Sequence, residues 1–155
     1  LLSFDPNIRP ALLDATPTAR DTATALIARA HVVKLSDEDA DWLFPGWTTS
    51  QVLDHLLQLG VHIAAVTRGS AGSDLATTRA QVHIPARLVD AVDTVGAGDS
   101  YMAGMLRQIL REPDGDGDAW LEAIGTAGAR NAAFTVEAAG AVMPTIEDLE
   151  DPMAA

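Results

Sequence analysis

Cysteine is absent from all 155 residues, which excludes disulfides, thiol catalysis and cysteine-bound zinc. Basic residues are scarce. Ten Lys and Arg stand against 22 Asp and Glu, a formal net charge of −12 with a pI near 4.4. That balance argues against nucleic acid as the main partner. A nucleotide is still compatible with it, because local amides, a few cations and magnesium decide such an affinity. No apolar run approaches the length of a membrane span, so no membrane partner is expected. No succession of charged, apolar and small residues reads as a signal peptide. The expected location is therefore the cytoplasm. Internal repeats and low-complexity linkers are also missing, and His31, His55, His62 and His83 show no metal-ligand spacing.

What is present is 48% hydrophobic residues, enough for the core of one ordinary globular domain. The chain opens on "LLSF", a strand already in progress, and reads as truncated or processed at its start. "DPNIRP" follows as a proline-marked loop. Helical spacing covers residues 18–30, just after Pro17, and "HVVKLS" (31–36) reads as a buried strand. Ser36 with Asp39 three residues on is a shortened capping box, and that helix ends at Pro45 and Gly46. A further helix starts after Thr49 or Ser50, packs Val52, Leu53, Leu56 and Leu57, and stops at Gly60. "HIAAVT" (62–67) is a strand, "RGSAGS" a turn, and "DLATT" with "QVHIPA" a hairpin or a pair of short strands around Thr78 and Arg79. Met102, Met105, Leu106, Ile109 and Leu110 mark an amphipathic helix that "REPDGDGD" breaks. An Ala- and Gly-rich helix with a small-residue face runs from Ala119 to about Phe134. "EAAGAVMP" is a loop and "TIEDLEDP" a short terminal helix. Strands alternating with helices predict an α/β layered fold with a largely parallel sheet.

The stretch "VDTVGAGDSYMAGML" (92–106) carries the chemistry. Glycine belongs where backbone must come close to something. A helix start offers unpaired N–H groups and the positive end of a dipole, which suit an anion. Asp99 beside such a site is an odd thing to build for stability alone. "DTVGAGDSYMAG" resembles the C-terminal signature of the PfkB-type, or ribokinase-like, sugar kinases, with Asp93, Thr94, Gly96, Ala97, Gly98 and Asp99 in the family's places. Four more segments fall in the family's order. "FDPNIRP" (4–10) is similar to the Asp-Pro-Asn-x-Arg loop of the fructokinase-like branch. "KLSDEDADWL" (34–43) is similar to a Lys-x-Asn/Ser-x-x-Glu segment, "VTRGSAGS" (66–73) to a Thr-x-Gly-x-x-Gly nucleotide loop, and "NAAFTVEAAGA" (131–141) to the closing adenine and cation segment.

The resemblance implies a ribokinase-like three-layer αβα fold. It makes residues 1–155 a single partial domain, the C-terminal nucleotide-binding half, with the N-terminal half and its lid absent. It implies ATP-dependent phosphorylation of a primary hydroxyl of a small sugar, fructokinase-like, with a homodimer as the full-length assembly. Phosphoryl transfer requires charge neutralisation and alignment with little covalent help. The family's general base falls on Asp99, and Gly96, Ala97 and Gly98 form the anion hole with it. Thr67, Gly69 and Gly72 line the nucleotide's phosphates and ribose, and Asn131 reaches the adenine region. Asp39 organises magnesium through water, in place of the family's glutamate. Glu38 is the alternative, but Ser36 fixes the spacing in favour of Asp39. Asp93, with Val95, Ala138 and Gly140, implies a potassium-type monovalent cation site. Asp99 also meets the sugar, and Arg9 meets either a phosphate or the sugar's polar end, though alone it reads as a surface or capping arginine.

Other readings are open. 2-Keto-3-deoxygluconate kinase shares the Asp-Pro-Asn-x-Arg loop, and ribokinase follows it. A nucleotide-binding fragment without turnover, or a scaffold that keeps only the fold, is the reading from another class. "DGDGD" (114–118) suggests a calcium loop, but the sixth and twelfth positions hold Ala119 and Gly125 where glycine and glutamate are needed. "GDSY" (98–101) suggests an esterase with Ser100 as nucleophile. No Asp-x-x-His follows near the C-terminus and no Gly-x-Ser-x-Gly elbow occurs.

Overall fold

A computed structural model describes residues 1–12 and 17–150 of the chain. Near-continuous apolar runs in "VVKLS" and "IAAVT" make strands β2 (Val32–Ser36) and β3 (Ile63–Thr67), each with its first four residues buried. They lie in one five-stranded sheet with β1 (Ser3–Phe4), β4 (Ser73–Ala76) and β5 (Gln81–Ile84), in chain order. The sheet is mixed. β1, β2 and β3 run parallel, with Phe4 opposite Val33 and Ser36 opposite Thr67, as strand–helix alternation predicts. β4 then runs antiparallel to β3, with Thr67 opposite Ser73. The segment 68–72, read as a turn, supplies that reversal, and the expected hairpin follows between β4 and β5. Thr77 N–H donates to the Ala80 carbonyl (2.8 Å), and Ala80 N–H donates to the Thr77 hydroxyl (3.0 Å).

The chain packs as two compact units. The first comprises Leu1–Arg68 and Ser73–His83, and the second Gly69–Gly72 and Ile84–Ala155. In the first, helices α1 (Pro17–Ile27), α2 (Asp37–Leu43) and α3 (Thr49–Gln58) join the sheet in one apolar cluster. Val33, Leu35, Ala64, Val66 and Ala76 from the strands meet Ile27, Leu43, Leu53 and Leu56 there. A fully buried leucine of this kind contributes about 1.5–3 kcal/mol by leaving water. α1 ends three residues short of the expected Ala30, because Arg29 and Ala30 N–H bond back to the carbonyls of Leu26 and Ile27, three residues earlier. α2 and α3 start with complete capping boxes, Ser36 with Asp39 and Thr48 with Gln51.

In the second unit, α4 (Ala97–Arg111) and α5 (Gly117–Val136) pack closely along the expected small-residue face. A Cβ on Gly104 would stand 2.5 Å from the Ala127 carbonyl, and one on Gly128 would stand 2.7 Å from the Tyr101 ring. α5 begins two residues earlier than expected, with Asp116 as its N-cap accepting from Gly117 N–H (2.8 Å). "DGDGD" is thus a turn and a cap, as the missing calcium-loop residues indicated. The terminal helix α6 is Ile146–Glu150, and the rest of its expected span, Asp151 and Pro152, lies outside the described residues.

Candidate active site

Parallel pairing fixes where the first unit can do chemistry. β1, β2 and β3 all end on the same edge of the sheet, so their following segments gather there. Those segments are the 5–9 loop, the start of α2, and Thr67 with Arg68. Asp39 is buried, 3% exposed, at the third position of α2. Its Oδ1 accepts from Ile8 N–H (2.8 Å) and its Oδ2 from Ser36 N–H (3.0 Å). The carboxylate therefore closes the capping box and latches the 5–9 loop onto α2 in one stroke. Glu38, the alternative, is exposed. In the loop, Asn7 takes a left-handed φ of 47°. Arg9 is exposed and folds back, donating from Nη1 to the Ile8 carbonyl (3.0 Å) and from Nη2 to Asn7 Oδ1 (3.4 Å).

Two charged groups here escaped the sequence reading. Lys34 is 2% exposed within β2, and its ammonium stands 2.7 Å from Asp5 Oδ2. Neither Asp5 oxygen has a well-aligned hydrogen bond. Burial pushes the Asp5 carboxyl above its ordinary pKa; the Lys34 ammonium opposes this, and the nearby Asp39 charge adds to it. A lysine inside the apolar run "VVKLS" was the available signal, since a buried cation needs a partner. The second group is Arg68, whose Nη2 donates to Asp74 Oδ2 (2.5 Å), while His83 Nδ1 lies 2.8 Å from Asp74 Oδ1. Thr67 Oγ1 donates to the Leu35 carbonyl (3.4 Å), tying β3 to β2.

In the second unit, Gly69 and Gly72 frame a short 3-10 turn, Gly69–Ala71. Gly72 is irreplaceable on two counts: its φ is +85°, and an added Cβ would fall 2.3 Å from the Ile84 carbonyl oxygen. Gly96 is similar, with φ +82° and Ala141 Cβ at 2.9 Å from where its own Cβ would be. As N-cap of α4 it has no side chain to bond the helix amides. Ala97 N–H is engaged by the Thr94 carbonyl (3.2 Å), so Gly98 N–H is the next amide of that open turn. Asp99 follows at the third position of α4 and is exposed.

Asp93 ties the entry to this turn to the loop after α5. Its Oδ1 accepts from Val95 N–H and its Oδ2 from Gly140 N–H, both at 3.0 Å. The Val95 and Gly140 amides hold its pKa below the ordinary carboxylate value. Val92 and Asp93 N–H both donate to the Val136 carbonyl, at 2.7 and 3.2 Å. The structure thus brings together Asp93, Val95 and Gly140, while Ala138 N–H bonds to the Thr135 carbonyl (3.4 Å) just past the end of α5. A carboxylate is a hard oxygen donor of the kind that suits a cation of low charge, and the groups set on it here are the Val95 and Gly140 amides. Asn131 is buried in α5, 6% exposed, and its carbonyl accepts from Ser100 Oγ. Ser100 is itself 0% exposed, which removes the esterase alternative: a sealed hydroxyl cannot attack a substrate. Among the described residues no group of three or more His, Cys, Asp or Glu is placed to hold a metal ion, and no helix is long and apolar enough to cross a membrane.

The chain's relatives agree on one family. Residues 2–148 match the model of the pfkB family carbohydrate kinases. A fructokinase of Rhizobium leguminosarum bv. trifolii is 35% identical over 109 residues, covering 70% of this chain and 33% of its own. Among solved structures, aminoimidazole riboside kinase from Salmonella enterica, complexed with its riboside and an ATP analog, superposes at TM-score 0.79 with 29% identity over 90% of this chain and 46% of its own. Fructokinase from Vibrio cholerae O395, bound to fructose, ADP and calcium, superposes at TM-score 0.79 with 26% identity, over 90% of this chain and 45% of its own. A double-mutant form of that fructokinase holds fructose, ADP and potassium, at TM-score 0.80 with 25% identity over 90% of this chain and 45% of its own. The mixed sheet with its helices is the ribokinase-like α/β fold of these neighbours. The chain spans a third of the length of the curated relative and under half that of the solved ones.

Proposed function

This chain belongs to the pfkB family of carbohydrate kinases, and from that premise we propose that the protein containing it phosphorylates a primary hydroxyl of a small sugar with ATP. Fructose is the first candidate sugar, on the similarity to fructokinases. Ketodeoxygluconate is the second, on the Asp-Pro-Asn-x-Arg loop at residues 5–9. The observation that carries the reading is the start of α4. Gly96, in a conformation and a space that exclude side chains, leaves the helix uncapped, with Asp99 exposed in its first turn.

In the proposed reaction Asp99 accepts the proton of the sugar hydroxyl as its oxygen attacks the γ-phosphorus, and the bond to ADP breaks. The Gly96–Asp99 turn, with the Gly98 amide facing the anion, stabilises the charge on the transferring oxygens. Thr67, Gly69 and Gly72 hold the nucleotide's phosphates and ribose. Asn131 backs the adenine region through its place in α5, and Arg9 meets the sugar's polar end when it unfolds from its loop. Asp39 fits a water-mediated magnesium role, since its backbone bonds fix it in place and each oxygen keeps a lone pair. Bound magnesium would neutralise phosphate charge there. Asp93, with Val95, Ala138 and Gly140, fits potassium, which would hold the loop at 138–140 against the turn at 93–96.

The decisive experiment is Asp99→Asn in the complete enzyme, assayed with MgATP and fructose. Turnover falls by about a hundredfold to ten-thousandfold while MgATP affinity is kept; near-normal turnover removes the general-base assignment. A second reading, nucleotide binding without turnover, is favoured for the 155-residue piece taken alone by its short span of the relatives. Calorimetric titration of the piece with MgATP, beside a turnover assay, separates the two.

A further inference from the structure

A helix start that presents open amides has a mechanical problem. The side chain that would normally fix it would also cover it. α2 and α3 solve the first half with Ser36 and Thr48, whose hydroxyls accept from the amide three residues on. α4 has no such cap. What holds its first turn lies behind it. Ser100, fully buried, donates from Oγ to the Asn131 carbonyl (3.0 Å). Thr135, also fully buried, donates from Oγ1 to Ser100 Oγ (2.8 Å). Ser100 N–H meanwhile donates to the Gly96 carbonyl (2.9 Å), the first rung of the helix. One residue after Asp99, therefore, a single hydroxyl joins the first turn of α4 to two successive turns of α5.

We infer that Ser100 and Thr135 are positioning residues, a cap placed behind the helix that fixes the Gly96–Asp99 turn while leaving its front open. The inference rests on the kinase reading for its functional consequence, though not for its structural one. Three observations support it. Both hydroxyls are sealed from water, so each needs its bond, and the pair satisfies itself with one backbone acceptor. A serine hydroxyl is a short reach, and it spans the two helices only because Gly104 and Gly128 let the backbones come so close. The pin also sits at a helix start with no side-chain cap, whereas α2, α3 and α5 each have one, that of α5 being Asp116.

The test uses Thr135→Val, which keeps shape and removes the donor, and Thr135→Ser, which restores it. Ser100→Ala removes the hub and is read by the same thresholds if the valine variant does not fold. Two readouts are needed. Hydrogen exchange of the amides of residues 98–101, in the absence of ligands, reports the turn itself. Turnover of the complete enzyme, per folded molecule and well below its melting temperature, reports the consequence. The expected result is exchange faster by about tenfold in Thr135→Val, kcat lower by about tenfold to a hundredfold with KM for MgATP within about twofold, and both restored in Thr135→Ser. A merely structural role lowers the melting temperature and leaves kcat per folded molecule alone. Exchange and kcat both within about twofold of the parent overturn the inference. If the parent enzyme shows no sugar kinase activity, the kinase reading has failed, and the exchange measurement still decides whether the pin holds the turn.

Discussion

Asp39 and Asp99 occupy the same place in two helices, the third residue of α2 and of α4, yet one is buried and the other exposed. The residue before each helix makes the difference. Ser36, at φ −75°, turns a hydroxyl into the helix start and receives the Asp39 carboxylate on its own N–H. Gly96, at φ +82°, has nothing to offer and leaves the third residue facing outward. A capping box binds its carboxylate to the backbone at the helix start, whereas a glycine start has no side chain to cap with. The same amino acid at the same helical position is buried and bonded to backbone in one unit and exposed in the other.

That contrast can be broken from either side. The largest effect is expected at Asp99: asparagine there lowers turnover by about a hundredfold or more, with the melting temperature nearly unchanged. Asp39→Ala should lower stability as well as turnover. It strands the half-buried Ser36 N–H and the buried Ile8 N–H, and a buried donor left unpaired costs about 1–3 kcal/mol, so denaturant unfolding should show a clear loss of stability. A variant as stable as the parent would mean the latch on the 5–9 loop contributes nothing. Gly96→Ser attempts to turn the open start into a capped one. Strain at the left-handed backbone costs about 1–3 kcal/mol, and the displaced Ala141 contact moves the turn, so turnover and stability should fall together. Stability unchanged in that variant would show that the turn can relax.

The smallest effect concerns pH. Asp93 has its pKa lowered by the Val95 and Gly140 amides, so its contribution is present above the ordinary carboxylate value and is lost as pH falls through the lower, folded value. Melting temperatures between pH 7 and pH 3 should therefore drop less steeply in Asp93→Asn, which starts lower and has no charge to lose. Parallel curves would remove Asp93 from the acid response.

Much of this was legible in the sequence because it is local. The Ser36–Asp39 box, the glycine start at Gly96 and the strand at 62–67 each depend on neighbours within a few positions, where period and cap chemistry are readable. The parallel order of β1 to β3 followed from alternation, and the reversal at β4 from the short turn at 68–72. What stayed hidden joins residues far apart. Lys34 finds Asp5 only through the register of β1 on β2, and Arg68 finds Asp74 and His83 only across the hairpin. Ser100 was visible as a polar residue, but its partners 31 and 35 residues away depend on how closely α4 and α5 approach. Hydrophobic period says which face is buried; it does not say which hydroxyls meet there.

The Asp39 latch also sets an order of events. β1 has only two residues of strand, too few to hold an edge by itself, and its loop is pinned by a contact spanning 31 residues. Closing such a span has an entropic cost that must be met before the bond forms. The 5–9 loop therefore settles late, after β2 and α2 have assembled the carboxylate that receives it. In a refolding time course, the 5–9 segment should be the last part of the first unit to gain protection.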